Sequence, residues 1–232
     1  PPDCVQTGWL TDPASARDWL AAERDNLVAA AGHAARKGWP RHAIRLAQTI
    51  AHYLDSDGHH QQSLSIQRSA LAAALACEDQ LAEAASLNQL GVACARLGLP
   101  EETSSLQRAL AIYLELGDRA GQGRVLGNLG HVYRRLGRHQ EALDHYRRHL
   151  ETHRVTGDLI EQATALTSAA DLQFYLGNYA EAAQHYQQCL IVSQDGGDLD
   201  GQARALARLA EASAHGQRRE STGLDLQQAA GD

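Results

Sequence analysis

The sequence predicts an all-α fold, an α-solenoid of antiparallel helix pairs, and three observations carry that expectation. Leu126, Leu129, Gly130, Tyr133 and Leu136 recur at steps of three and four, and after Gly137 the spacing resumes at Ala142, Leu143, Tyr146 and Leu150. That is the signature of two amphipathic helices joined by a tight turn, with small residues where they approach closely. The pattern then returns about 40 residues later as Leu166, Ala170, Leu176, Gly177, Ala182, Tyr186 and Leu190. It also precedes this pair as Leu87, Leu90, Gly91, Leu97, Gly98, Leu106 and Leu110, one residue shorter in the turn near Pro100. A fixed period of this size means stacked helical units rather than a globular enzyme fold. Finally, hydrophobic content is 44% but aromatic content only 5%, so Ala and Leu must build the core. Such a core suits helices at close range and argues against a large sheet.

In chain order, residues 1–11 show no period and are expected to be a linker. Asp12-Pro13 is a helix start, since Asp can cap and Pro is tolerated in the first turn. Residues 12–40 form an N-terminal helical cap of one or two helices, with Trp19, Leu20, Leu27, Val28 and Ala31 packed on the first repeat. The array spans 41–215: repeats at about 41–79, 80–118, 119–158 and 159–198, and a partial fifth at 199–215. Repeat one is degenerate, keeping Ala51, Gly58, Leu64 and Leu71. The next three end in Gly117-Asp118, Gly157-Asp158 and Gly197-Asp198, where Gly can take a left-handed conformation and Asp can cap the following helix. Residues 216–232 lose the register and are expected to form a tail or a short capping helix.

The order Leu-x-x-Leu-Gly-x-x-Tyr, Leu-Gly, Glu-Ala, Tyr, Leu resembles the tetratricopeptide repeat, in the 40-residue form of kinesin light chains and large bacterial signalling regulators. The resemblance runs from about Arg41 to His215. It implies a tetratricopeptide superhelix whose first (A) helices line a concave groove and whose second (B) helices form the convex back. Trp19-Leu-x-x-Glu-Arg-x-Asn-Leu27 adds a second resemblance, to the junction between the nucleotide-binding NB-ARC module and the repeats of actinobacterial SARP-type transcription regulators. The ATP-binding and DNA-binding modules of such proteins are not among these residues.

A formal charge of −7 gives no general attraction to nucleic acid or anionic membrane. No apolar run reaches the length of a membrane span, and no signal peptide is expected from the first residues. The chain has no Met, even at position 1, so a fragment of a longer polypeptide or a processed chain is expected. Cys4, Cys77, Cys94 and Cys189 show no C-x-x-C spacing; Cys94 and Cys189 fall on packed faces and read as buried reduced thiols, which points to a cytoplasmic protein.

Chemistry is sparse. His145, His149 and His153 stand at i, i+4 and i+8, a spacing from which two imidazoles can chelate a metal, but no H-E-x-x-H and no ligand cluster of recognisable spacing completes a site. Surface and interhelical histidines are expected there, and neither metal nor cofactor. Gly121–Gly127 mimics a phosphate loop but lies inside a helix, where the dinucleotide fingerprint needs a preceding strand. Asp55–Gly58 mimics a calcium loop, but Ile66 holds the place of its last carboxylate. No nucleophile–base set is arranged by a local motif, so no enzymatic activity is expected.

Because the resemblance implies a groove lined by A helices, the binding residues expected from it are Asn88, Gln89, Arg96, Arg124, Asn128, His131, Arg134, Arg135, Asp171, Tyr175, Arg204 and Arg208. Thr164, Thr167, Ser168 and Glu211 share that face. Asn and Gln can pair with an extended peptide backbone, and Arg can fork onto carboxylates. A chaperone-type carboxylate clamp does not fit, since His131 and Ser168 stand where such clamps carry Asn.

The function expected is a non-catalytic protein- or peptide-binding scaffold, the regulatory or sensor domain of a larger bacterial transcription regulator. The alternative is a free-standing adaptor binding a peptide or cargo protein. The partner is a protein, a peptide or another domain of the same polypeptide, not a membrane. Direct nucleic-acid binding is disfavoured, because Glu141, Asp144 and Glu151 dilute the arginines of 124–154. Self-association through the C-terminal end is also expected, since any tail helix would cover Leu206 and Leu209 only in part.

Overall fold

The computed structural model describes residues 12–229, with side chains through Arg219. Among the described residues there are ten α-helices and no strand. The chain divides between Leu116 and Gly117 into two compact units.

The first unit holds α1 (Pro13–Arg36), α2 (Pro40–Ser56), α3 (His60–Ala76), α4 (Gln80–Leu97) and α5 (Glu102–Glu115). Asp12 starts α1 as the sequence suggests: its carboxylate accepts from the Ser15 N–H at 2.9 Å, with Pro13 in the first turn. One helix, not two, runs through 13–36. Its Leu20, Leu27 and Val28 pack with Ala31 against Ile50, Tyr53, Leu54 and Ile66 of the next two helices. A second cluster joins Ala34, Ala43, Ala73, Ala74 and Ala82, where alanines let α1–α4 approach closely. Leu64, Leu90, Ala93 and Cys94 form a third.

The second unit holds α6 (Arg119–Arg135), α7 (His139–Thr156), α8 (Leu159–Tyr175), α9 (Tyr179–Asp195) and α10 (Leu199–Ala229). Its core joins Ala170, Ala182, Tyr186 and Ala212 with Phe174 and Leu209 beside them, and Leu166, Cys189 and Ala205 with Leu150 and Leu190. The helix of the partial repeat expected at 199–215 does not stop there but runs on without a break to Ala229. The linker expected at 1–11 lies outside the described residues.

The turns share one construction. Gly38, Gly58, Gly98, Gly117, Gly137, Gly157, Gly177 and Gly197 all have positive φ, and Glu78 takes the same conformation at φ 55°. Asp79, Asp118, Asp158 and Asp198 then cap the A helices that follow, accepting from Ala82, Gly121, Glu161 and Gly201 N–H groups at 2.9–3.1 Å. A left-handed residue satisfies the closing carbonyls of one helix, and a short carboxylate satisfies the first donors of the next.

Candidate functional site

Within the second unit, α8 and α10 flank a cavity of about 690 Å³, with Tyr186 and Cys189 of α9 and His131 of α6 also on its wall. Pockets for small ligands or peptide side chains commonly fall within roughly 300–1,000 Å³. The cavity exists because the residues at the α8–α9 and α9–α10 seams are small. Ala163, Ala205 and Gly201 line it where larger side chains would close it.

Its polar chemistry is split between the two flanking helices. Along α8, the Thr164 hydroxyl donates to the Ile160 carbonyl at 3.0 Å and the Ser168 hydroxyl to the Thr164 carbonyl at 2.9 Å. With their protons used inside the helix, both oxygens face the cavity as acceptors. Asp171, one turn on, accepts the Tyr186 phenol through Oδ1, which leaves Oδ2 as a further acceptor. Burial, and then that same bond, hold the Tyr186 phenol above its ordinary pKa, so it stays a neutral donor. Opposite stand Arg204 and Arg208 of α10. Arg208 Nη1 lies 3.3 Å from Glu211 Oε2, one turn along its own helix. Among the described residues, Arg204 makes no hydrogen bond or ion pair. The wall thus pairs a row of acceptors with one uncommitted guanidinium, an arrangement that can hold a peptide N–H on one side and a carboxylate on the other.

Four of the expected binding residues, His131, Asp171, Arg204 and Arg208, line this cavity, and Thr164, Thr167, Ser168 and Glu211 join them. His131 is held at 2.9 Å by the Tyr146 hydroxyl, the same contact that Asp171 makes with Tyr186 one repeat later. Arg124, Arg134 and Arg135 are exposed and Asn128 half-buried on α6, none of them on the cavity wall. Tyr175, 75% exposed, sits at the end of α8 edge-on to His139. In the first unit Arg96 is exposed with its Nε 3.6 Å from Asp55 Oδ1, and Gln89 is half-buried. Asn88 departs from expectation: at 5% exposed it is packed inside the unit rather than presented to a ligand. Ala84 and Ser86 on α4, outside the recurring apolar set, are buried too, so the helix turns a wider face inward than the repeat pattern projects.

Tyr186 and Cys189 belong to a B helix and were expected only to pack. They reach the cavity because small residues opposite leave them uncovered. The histidines of α7 also differ from simple surface positions. His145 stacks on Tyr133 with ring centroids 5.0 Å apart, whereas His149 and His153 are buried, at 3% and 2% exposed.

Tetratricopeptide-repeat family profiles match residues 103–155 and 163–194. Among curated proteins, none matches the chain in sequence. Several solved structures share the fold. BtubC (BKLC) from P. vanneervenii is 16% identical with a TM-score of 0.63, over 88% of this chain and 92% of that one. A Rap protein complexed with Competence and Sporulation Factor is 15% identical with a TM-score of 0.59, over 75% of this chain and 55% of that one. A Signal Transduction ATPase with Numerous Domains from Pyrococcus horikoshii, with a tetratricopeptide repeat sensor, is 16% identical with a TM-score of 0.54, over 88% of this chain and 34% of that one. Within this all-α fold, residues 103–155 and 163–194 carry tetratricopeptide repeats, and α8 and α9 of the cavity wall fall in the second of these stretches.

Proposed function

We propose that this chain is a non-catalytic scaffold that binds protein or peptide, and that it serves as the regulatory or sensor part of a larger bacterial transcription regulator in the cytoplasm. The observation that carries the binding reading is Arg204, an unengaged guanidinium facing the acceptors of Thr164, Ser168 and Asp171 across the cavity. The ligand it suits is a polypeptide segment whose carboxylate meets Arg204 while its backbone N–H groups meet α8, with His131 and Arg208 at the margins. Repeats of this fold occur in a Rap protein solved with a bound factor and as the sensor of a multidomain signalling ATPase, which supports a regulatory role. Among the described residues, no helix is long and apolar enough to cross a membrane.

Panning a random peptide library against the chain tests this. Peptides enriched for carboxylates should bind the wild type, and Arg204→Ala should weaken them about 10- to 150-fold, the equivalent of the roughly 1.5–3 kcal/mol of a charged hydrogen bond. Equal binding to wild type and variant would overturn the assignment of this cavity.

A further inference from the structure

The α7–α8 seam carries a group of side chains that the packing of the repeats does not require. His149 and His153 lie one turn apart on α7, both buried, with ring centroids 4.9 Å apart. Glu161, in the first turn of α8, brings Oε2 to 3.3 Å from His149 Nε2. One ligand atom from each of the three falls within 4.8 Å of the other two. Neither ring nitrogen of His153 has a hydrogen-bond partner, nor does Nε2 of His149, which meets the Glu161 oxygen without hydrogen-bond geometry. Burial first, then the nearby His153 and His131, pushes the His149 pKa down to about 4, so the ring is neutral at ordinary pH and its contact with Glu161 is not an ion pair. Three polar nitrogens left unsatisfied in a protein interior are costly, and such groups are rare in folded chains.

The neighbouring repeats show that nothing in the helix stacking demands this. About 40 residues earlier the same positions hold Ala109, Tyr113 and Gly121; about 40 later they hold Cys189, Ser193 and Gly201. The facing helix is adapted to the imidazoles as well. A Cβ on Gly123 would stand 2.0 Å from His153 Nε2, and one on Gly127 3.1 Å from the His149 ring. In the next repeat Ala163 and Thr167 occupy those positions. Two glycines thus give up side chains to seat two unpaired histidines.

We propose that His149, His153 and Glu161 bind a divalent transition-metal ion of the zinc class, which ties α7 to the first turn of α8. Two imidazoles at i, i+4 and one carboxylate are a zinc donor set that leaves the fourth position to water or another ligand. Tetrahedral zinc with bonds of about 2.0–2.1 Å needs ligand atoms about 3.3 Å apart. The His149–Glu161 pair already has that separation, and the remaining pairs, within 4.8 Å, would be drawn in by the ion. Asp158 stands behind, with Oδ2 3.8 Å from His153 Nδ1, where a carboxylate orients a ligating ring by accepting its second N–H. Glu161, only partly buried, provides the way in from solvent. The ion would make the junction of these two repeats metal-dependent, whether or not the α8–α10 cavity binds peptide.

The test is titration of the tag-free full chain with Zn²⁺ alone, and with Co²⁺ followed by visible absorption. One equivalent should bind, Co²⁺ should show the intense d–d bands of a tetrahedral site, and Tm should rise by roughly 5–10 °C at metal a hundredfold above Kd and fall back with chelator. His149→Asn, His153→Asn and Glu161→Gln should each abolish the one-to-one binding. Glu161→Gln is the decisive variant, because a partly exposed, isosteric change leaves the fold intact. Binding that survives Glu161→Gln, that is lost instead on changing the half-buried histidines His139 and His185, or that never appears at micromolar metal would overturn the proposal.

Discussion

Glu78 is the one non-glycine among the described residues with positive φ, and it stands where the other turns have glycine. Its Cβ pays for the left-handed conformation that Gly98 or Gly117 adopts without strain, a cost of roughly 1–2 kcal/mol, part of which glycine would return as unfolded-chain entropy. Glu78→Gly should therefore stabilise the chain by up to about 1 kcal/mol, read as a higher midpoint in urea. A midpoint unchanged or lowered would mean that the Glu78 side chain compensates for its own strain. The same scale shows what a sequence reveals and what it hides. Gly-Asp punctuation is legible because the left-handed turn and the cap are made within four residues of chain. The state of His149 and His153 is not, since it depends on Gly123, Gly127 and Glu161, which come from other helices. Asn88 was misplaced for a related reason: one residue is a rotation of about 100° on a helix, enough to carry a side chain from a groove face into a packed seam.

At the scale of the element, α4 meets α5, α6 meets α7 and α8 meets α9 through a small residue set against a large one. A Cβ at Gly130 would lie 2.4 Å from Tyr146 Cε1, and one at Gly91 would lie 2.6 Å from Leu106 Cγ. Tyr146 cannot retreat easily, since its ring is buried and its hydroxyl is tied to His131; burial also pushes its pKa up to about 12. Gly130→Leu should cost about 1–3 kcal/mol through overpacking, with better helix propensity offsetting less than 1 kcal/mol of it. Thermal or urea denaturation measures this directly, and an unchanged curve would mean that α6 meets α7 through a different face. This seam was legible in the sequence because its residues recur in register over three repeats. The cavity between α8 and α10 was only half legible. Its A-helix side chains could be projected from the period, but its opening depends on Ala163, Gly201 and Ala205 being small together, and nothing periodic announces that.

For the molecule as a whole, the helices of each unit pack mainly on their sequence neighbours: α1 with α2, α3 with α4, α6 with α7, α7 with α8, α8 with α9 and α9 with α10. Contacts that skip a helix join α1 to α3, α2 to α4 and α8 to α10. Stability in such an array is close to a sum of local terms and nearest-neighbour interfaces, so damage at one interface need not spread evenly. The Gly130→Leu change strikes the α6–α7 interface, whereas α8 beyond it is also held by α9 and α10. Amide hydrogen exchange should therefore speed up in α6 and α7 by a factor set by the lost free energy, about 5- to 150-fold for 1–3 kcal/mol, and less in α8. Exchange in α1–α4 should remain at its wild-type rate, and the urea transition should broaden or split rather than shift intact. If every protected amide instead accelerates by the same factor, the chain opens as one cooperative unit, and the local account of its stability gives way to a global one.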